Sequence, residues 1–418
     1  NTQLAWSSPI PGRGRALRSS MGQDTVSVAA VLAAEKPKEA SVNGIGTVRA
    51  PASKVDLRGP VLALATVVTF GLVTATSPAS APESLLPWTL NPTGLLSLRS
   101  YVILYVCTVP AKEVMDKVLD VLARRLFQFN KIDQGDAKVN KLEVLEAIDL
   151  CYLALNTCVE FIGLNHIVAF LFSDYALKPL ASFTVFNGPV AFLLAMFTND
   201  VIYYPFHLVA HRRVFYPYVH KQHHRQFLPF RGYADAANQH PIEQIYGFGI
   251  FIVSLRLASA MVGLHATAAW CAFLAWVLLN VANHLAFDSM LHLPLPYPAY
   301  SRDHQMHHRF PQCNYSTLTT IMDRAFGSFR PYQVLSGGVK ETKASRPDAL
   351  PSPWSFVGLA VGLVVVGTAV EAVRGSGSLP TAGEAAAVFA PSCVGLASAA
   401  AVCAAIGALC SKGAQKQQ

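Results

Sequence analysis

Residues 199–231 read NDVIYYPFHLVAHRRVFYPYVHKQHHRQFLPFR. Five of the chain's thirteen histidines fall in this stretch, spaced as His207-x3-His211 and His220-x2-His223-His224. Residues three and four apart share one face of a helix, so each cluster aims its imidazoles in a single direction, as metal coordination requires. A third cluster, His304-x2-His307-His308, repeats the second later in the chain. With thirteen histidines in 418 residues, a chance HxxHH arises in roughly one chain in a hundred and two arise in roughly one in ten thousand, which sets coincidence aside.

Working outward, the chain around these clusters is apolar. It is 52% hydrophobic and 14% charged, whereas an ordinary soluble domain carries about a quarter charged residues. Apolar windows at 61–77, 94–110, 144–172, 181–206, 244–262, 265–283, 354–373 and 385–410 mostly approach the roughly 20 residues that a bilayer crossing needs. The fold class expected is all-α: a polytopic membrane helical bundle with a cytosolic, histidine-rich cap holding a two-metal site. The net charge of +8 does not mark a nucleic-acid footprint, because the basic residues lie in loops between apolar segments and report orientation. Cys107, Cys151, Cys158, Cys271, Cys313, Cys393, Cys403 and Cys410 form no CxxC pair and sit mainly in apolar windows, which argues against a disulfide framework or a zinc knuckle.

The charges organise the rest. Residues 1–58 are rich in Ser, Gly, Pro and Ala, carry Arg13, Arg15 and Arg18 before the first acid, Asp24, and have no apolar periodicity; they read as a disordered basic tail. Met21 is the first methionine, and a plastid-type leader is one reading of this composition. Residues 59–143 read as a membrane hairpin with a basic cytosolic loop, 144–335 as the catalytic membrane domain, 336–352 as a linker, and 353–418 as a last membrane hairpin. By the positive-inside rule, all three histidine clusters then face the cytosol.

His207, His211, His220, His223, His224, His304, His307 and His308 supply eight imidazoles, too many for one tetrahedral ion; two ions in one site fit the count better. Ligand type alone leaves Zn, Cu, Fe and Ni open. His284, leaving the last helix of the domain at the level of the clusters, is a ninth candidate ligand, and His240, beside Pro241 in a turn, is placed in a supporting position. His292 is a weaker candidate, and His166 and His265 read as plain interfacial histidines. A ligating histidine needs a partner on its other ring nitrogen. Asp200 is the first candidate for that role, because 200, 204, 207 and 211 share a helical face and an isolated carboxylate in an apolar helix is costly. Asp235, Glu243 and Asp303 are further candidates, each also readable as a solvated carboxylate.

The segments HLVAH, HKQHH, QHPIE and DHQMHH, followed by NYS and DRAFGSF, resemble the fatty acid hydroxylase superfamily, which includes sterol desaturases and sterol C4-methyl oxidases. Its signature is HX3H, HX2HH and (H/Q)X2HH, and the likeness covers about 195–330. The resemblance implies a membrane enzyme with two iron ions, zinc being an alternative in purified protein, that uses O2 to hydroxylate or desaturate a C–H bond of a lipid. It carries the eight box histidines over as iron ligands and places an additional histidine at His284, where Leu285 stands in place of a common glycine; Ser316 likewise replaces a glycine. The location implied is the endoplasmic reticulum membrane with the site facing the cytosol, a plastid membrane being the alternative.

The sequence holds no GxGxxG and no HPGG, so the expected electron donor is a separate protein, in relatives cytochrome b5 with its reductase. The basic residues Arg212, Arg213, Lys221 and Arg225 could dock that partner or face anionic headgroups. A fatty acyl lipid hydroxylase is the favoured activity, with a sterol C4-methyl oxidase or sterol desaturase next. From other classes, a metal transporter would place its ligands within the spans of paired repeats, and a non-catalytic relative would bind metal and lipid without turnover.

Overall fold

A computed structural model describes residues 58–76, 144–174, 180–288, 293–335, 339–341, 353–375 and 381–415, with 117, 118, 121, 131 and 132 as isolated positions. The tail, the 94–110 window, most of the basic loop 111–143, and His292 lie outside the described residues.

The apolar windows become helices α1 (Arg58–Thr76), α2 (Ala147–Asp174), α3 (Ala191–Ala210), α4 (Pro241–Val262) and α5 (Ala266–Ala282). After them come two short helices, α6 (Ser301–Arg309) and α7 (Ile321–Phe326), and two long ones, α8 (Pro353–Gly375) and α9 (Ala382–Gln415). Two helical stretches, Pro241–Val262 and Ala382–Ala405, are long and apolar enough to cross a membrane. Shorter apolar stretches lie at Arg58–Phe70, Ala266–Ala282 and Ser355–Ala369.

Local chemistry sets the ends of these helices. Pro241 occupies the first turn of α4, where a missing N–H costs nothing, and the His240 Nδ1 accepts from the Ile242 N–H at 3.2 Å. Gly263, at φ +76°, stops α4 in a conformation that side chains disfavour. His265 then starts α5 by accepting from the Thr267 N–H at 3.2 Å.

The 181–206 window is not one continuous helix, as its hydropathy suggests. A 3-10 turn, Leu180–Ser182, and a π-turn, Phe186–Val190, precede α3. The cause is Gly188-Pro189: Gly188 leaves the helical region and Pro189 has no N–H to give. The Val190 N–H therefore reaches back to the Val185 carbonyl at 3.1 Å. A second departure is a small antiparallel hairpin, β1 (Gln333–Leu335) with β2 (Val339–Glu341), which enters the expected linker. Among the described residues the remaining regular elements are helical, apart from isolated β-bridges such as Arg231 with Leu285.

The apolar core lies between α3, α4, α5 and α8, and includes Phe192, Met196, Phe251, Leu255 and Leu363. Phe251 stacks on Trp276 at 5.2 Å. Ala266, Ala268, Ala269 and Ala272 on α5 are fully buried, and such small residues let helices approach closely. Polar residues gather at one end of this bundle, where the C-terminus of α3, the N-terminus of α4 and the C-terminus of α5 meet. The positions of His207, Glu243 and His284 around the loop 211–240 show that convergence.

Candidate metal centre

Each helix brings its histidines to this end for a reason already visible in the spacing. His207 and His211, one turn apart, leave α3 on the same face. On α6, His304 and His308 are also one turn apart, while His307 points about 100° away from His308. An HxxHH box therefore serves two directions at once. The structure sorts the imidazoles accordingly: His207, His211, His220, His224 and His307 converge in one group, and His223, His284, His304 and His308 in another. In each group the candidate ligand atoms all lie within 4.8 Å of one another. The groups adjoin, with the His224 and His308 rings 4.7 Å apart and the His220 and His223 rings 5.4 Å apart.

The ring nitrogens show what these groups suit. Nδ1 of His207 lies 2.6 Å from the Tyr315 carbonyl, that of His307 2.7 Å from Cys313, that of His308 2.9 Å from Gln226 and that of His284 2.8 Å from Asn280. A carbonyl oxygen can only accept, so each of these Nδ1 atoms carries the proton and each Nε2 keeps its lone pair. Nδ1 of His220 bonds the Glu243 carboxylate at 2.7 Å, both side chains being buried. The Nε2 atoms of the anchored rings then face other ring nitrogens: His207 and His220 at 3.1 Å, His220 and His224 at 3.0 Å, His304 and His308 at 3.2 Å, His284 and His304 at 3.1 Å. Between His207 and His220 both rings are anchored through Nδ1, so no proton remains to join them. Opposed lone pairs in a buried pocket are favourable only around a cation, and that donor set fits metal ions.

Electrostatics agrees. Burial holds His220, His223, His224, His304, His307 and His308 well below the ordinary histidine range, and the neighbouring imidazoles push the same way. His211 and His284 are lowered by burial too. Neutral imidazole is the form that binds a metal.

The carboxylates named from sequence are placed as follows. Glu243 touches His220 directly. Asp200 does not supply the ring partner expected of it. Its oxygens accept from the backbone N–H groups of Thr317, Leu318 and Thr319 and from the Thr319 hydroxyl. It holds the loop 313–320, and that loop's Tyr315 carbonyl meets His207. Asp303 caps α6 by accepting from the Tyr300 N–H at 2.9 Å, and burial pushes it up to about 7. Asp235 accepts from the N–H groups of Phe230 and Arg231 and pairs with the Arg231 side chain. His240 stands outside both groups as the N-cap of α4. These three act through backbone, because loop and helix-end N–H groups need acceptors as much as imidazoles do.

Sequence reasoning missed the backbone carbonyls of Cys313, Tyr315, Gln226 and Asn280, which carry no side-chain signature. It also missed Asp323, which burial pushes up to about 6 and which accepts from the N–H groups of Tyr315 and Ser316 and from the Ser328 hydroxyl. The signal for it was present, in the DRAFGSF segment that follows NYS.

No curated protein and no solved structure matches the chain. Residues 192–328, the segment that carries all nine converging histidines, match the family model of the fatty acid hydroxylases.

Proposed function

We propose that the protein is an integral membrane oxidoreductase that uses O2 to hydroxylate, or desaturate, a C–H bond of a fatty acyl lipid, with two iron ions held by the nine histidines. The single observation that carries this reading is the division of nine neutral imidazoles, seven buried and two half-buried, into adjoining groups of five and four inside the family-matched segment. Iron bound there would supply O2 activation and the oxidising power needed to break an unactivated C–H bond.

The chain's own residues do the rest. His207, His211, His220, His224 and His307 would hold one ion and His223, His284, His304 and His308 the other. Glu243, through His220, raises the basicity of one ligand and fixes its tautomer. The loop 313–320, tied down by Asp200 and Asp323, holds two more rings in place. Tyr216 stacks on the half-buried His211 at 5.6 Å and limits water on that side.

In this reading the helices form a polytopic bundle in the endoplasmic reticulum membrane, and the histidine-bearing end is the cytosolic cap. A lipid enters sideways from the bilayer and only its reacting carbon need reach the polar end, where exclusion of water protects the reaction. Electrons come from cytochrome b5 and its reductase, docking on a basic face. Arg213 and Lys221 are exposed there. Arg225 is turned inward to Glu146 at 2.9 Å and contributes less than its sequence position suggests.

The test is reconstitution: membranes with cytochrome b5, its reductase, NADH and 18O2, supplied in turn with acyl lipids and sterols. An 18O-labelled or unsaturated acyl product is expected. Product from sterols alone would move the assignment to a sterol oxidase or desaturase. Metal without any product would leave a binding protein.

A further inference from the structure

Helix α2 lies before the family-matched segment, and its polar residues form one stripe. Asp149, Tyr152, Asn156 and Glu160 follow the three- and four-residue spacing of a single helical face. Every one of them meets the loop that carries the second histidine box or its continuation to α4. Asp149, fully buried, accepts from the Gln222 side-chain amide at 2.8 Å and from the Asn238 amide at 3.1 Å. Its other oxygen accepts from the Glu146 N–H at 2.9 Å. The Arg225 guanidinium lies 3.5 Å from Asp149 and 2.9 Å from Glu146. The Asn156 amide donates to the carbonyls of Ala237 and Gln239, and the Tyr233 hydroxyl donates to Glu160. The Tyr152 ring sits 6.0 Å from that of His240, the N-cap of the helix that bears Glu243.

The order along the stripe matters. Asp149 is nearest the histidines, since Gln222 lies between His220 and His223, and Arg225 follows His224. The two residues it holds thus bracket the His223-His224 pair, whose rings diverge into the two donor groups. Nδ1 of both His223 and His224 is buried without a hydrogen-bond partner. Those two rings have no anchor of their own, unlike His207, His307 and His308. Their aim must come from the backbone that bears them, and that backbone is pinned through Gln222 and Arg225.

We propose that Asp149 is a positioning residue of the metal centre, setting the direction of His223 and His224 through Gln222 and Arg225, so that α2 completes a site whose ligands all lie elsewhere. The inference rests on the metal-holding part of the reading above and is independent of lipid oxidation. A buried carboxylate with two amide donors and a guanidinium fixes a loop more firmly than neutral partners do. Both donor groups depend on it, because His224 belongs to one and His223 to the other.

The test uses the full chain in nanodiscs, loaded with Co2+, reading the ligand-field bands and the rate of metal loss to a chelator. Asp149→Ala and Gln222→Ala should each release metal about 10–100-fold faster and shift the bands. Asp149→Asn, which keeps an oxygen for Gln222 and Asn238 but loses the charge that faces Arg225, should retain metal better than Asp149→Ala and less well than the wild type. Asn156→Ala and Glu160→Gln, further along the same stripe, should lower the melting temperature while leaving the bands in place. Should Asp149→Ala fail to fold, Gln222→Ala and Asp149→Asn decide. Wild-type release and bands in Gln222→Ala and in a folded Asp149→Ala, or identical band shifts in all the α2 variants, would overturn the proposal. A wild type that takes up no Co2+ would instead remove the metal centre on which the proposal rests.

Discussion

The two donor groups differ in how their members are held. In the group of five, His207 and His307 are anchored by the carbonyls of Tyr315 and Cys313 and His220 by the Glu243 carboxylate, while the buried Nδ1 of His224 has no hydrogen-bond partner. In the group of four, His284 and His308 are anchored by Asn280 and Gln226, while His223 and His304 have buried Nδ1 atoms with no hydrogen-bond partner. The first group has more donors and a charged partner; the second has neither. A ligand whose second nitrogen bonds a carboxylate is more basic and pays less entropy to stay in place. As proposed metal sites, the group of five, with its carboxylate-bonded ligand, would bind more tightly and the group of four more loosely.

The largest effect comes from removing a ligand on either side of this divide. His307→Ala and His223→Ala should both reduce product formation to background, and each should lower metal content by about one ion per chain. The difference between them sharpens the comparison. His307→Ala empties the tight group and frees the Cys313 carbonyl, so the loop 313–320 should also become protease-sensitive. His223→Ala should leave that loop intact. Metal analysis with limited proteolysis in membranes reads both, and a fully active double variant would break the assignment of these rings as ligands.

Next in size is the carboxylate. Glu243→Gln keeps the shape but removes the charge that His220 faces. Metal affinity of the group of five should weaken about 10–100-fold, with the group of four unchanged. A chelator titration of the wild type should show two phases, and only the tighter one should move. Equal weakening of both phases would mean that the groups are one electrostatic unit and that their different anchoring is immaterial.

What was legible in the sequence follows from the same division of labour. The donors are side chains at fixed helical spacing, and all nine histidine positions read from spacing and helix ends are brought into the two groups. The anchors are mostly backbone carbonyls, and no residue type marks where a carbonyl will point. Asp200 illustrates the limit. Its helical face, shared with His207, correctly put it beside the site, but its partners are N–H groups more than a hundred residues further along the chain, a pairing that only tertiary structure sets. The break at Gly188-Pro189 was hidden in the same way, because hydropathy averages over the residues that interrupt a helix. Asp149 was invisible because its role depends on a loop that has no periodicity.

The smallest effect is on the order of metal loss as the pH falls, and it needs the sign worked out. The eight lowered histidines outside the apolar helices are His211, His220, His223, His224, His284, His304, His307 and His308. Their folded pKa lies below the unfolded value of about 6.5, so beneath that pH the unfolded chain binds protons that the folded cap refuses. Their contribution is therefore present above about pH 6.5 and is lost on acidification. Asp303 and Asp323, raised to about 7 and about 6, and Asp288, also raised by burial, act in the opposite direction, since they take up protons in the folded state first. Eight imidazoles outweigh three carboxylates, so the chelator-stripped protein should lose thermal stability between pH 7 and pH 5. With metal bound, protons must compete ring by ring, and the group of four, with fewer donors and no carboxylate, should release its ion first. A separation of up to about one pH unit, tenfold in proton activity, is expected between the two release midpoints. Release in the reverse order would place the tighter site in the group of four and overturn the contrast between the two groups.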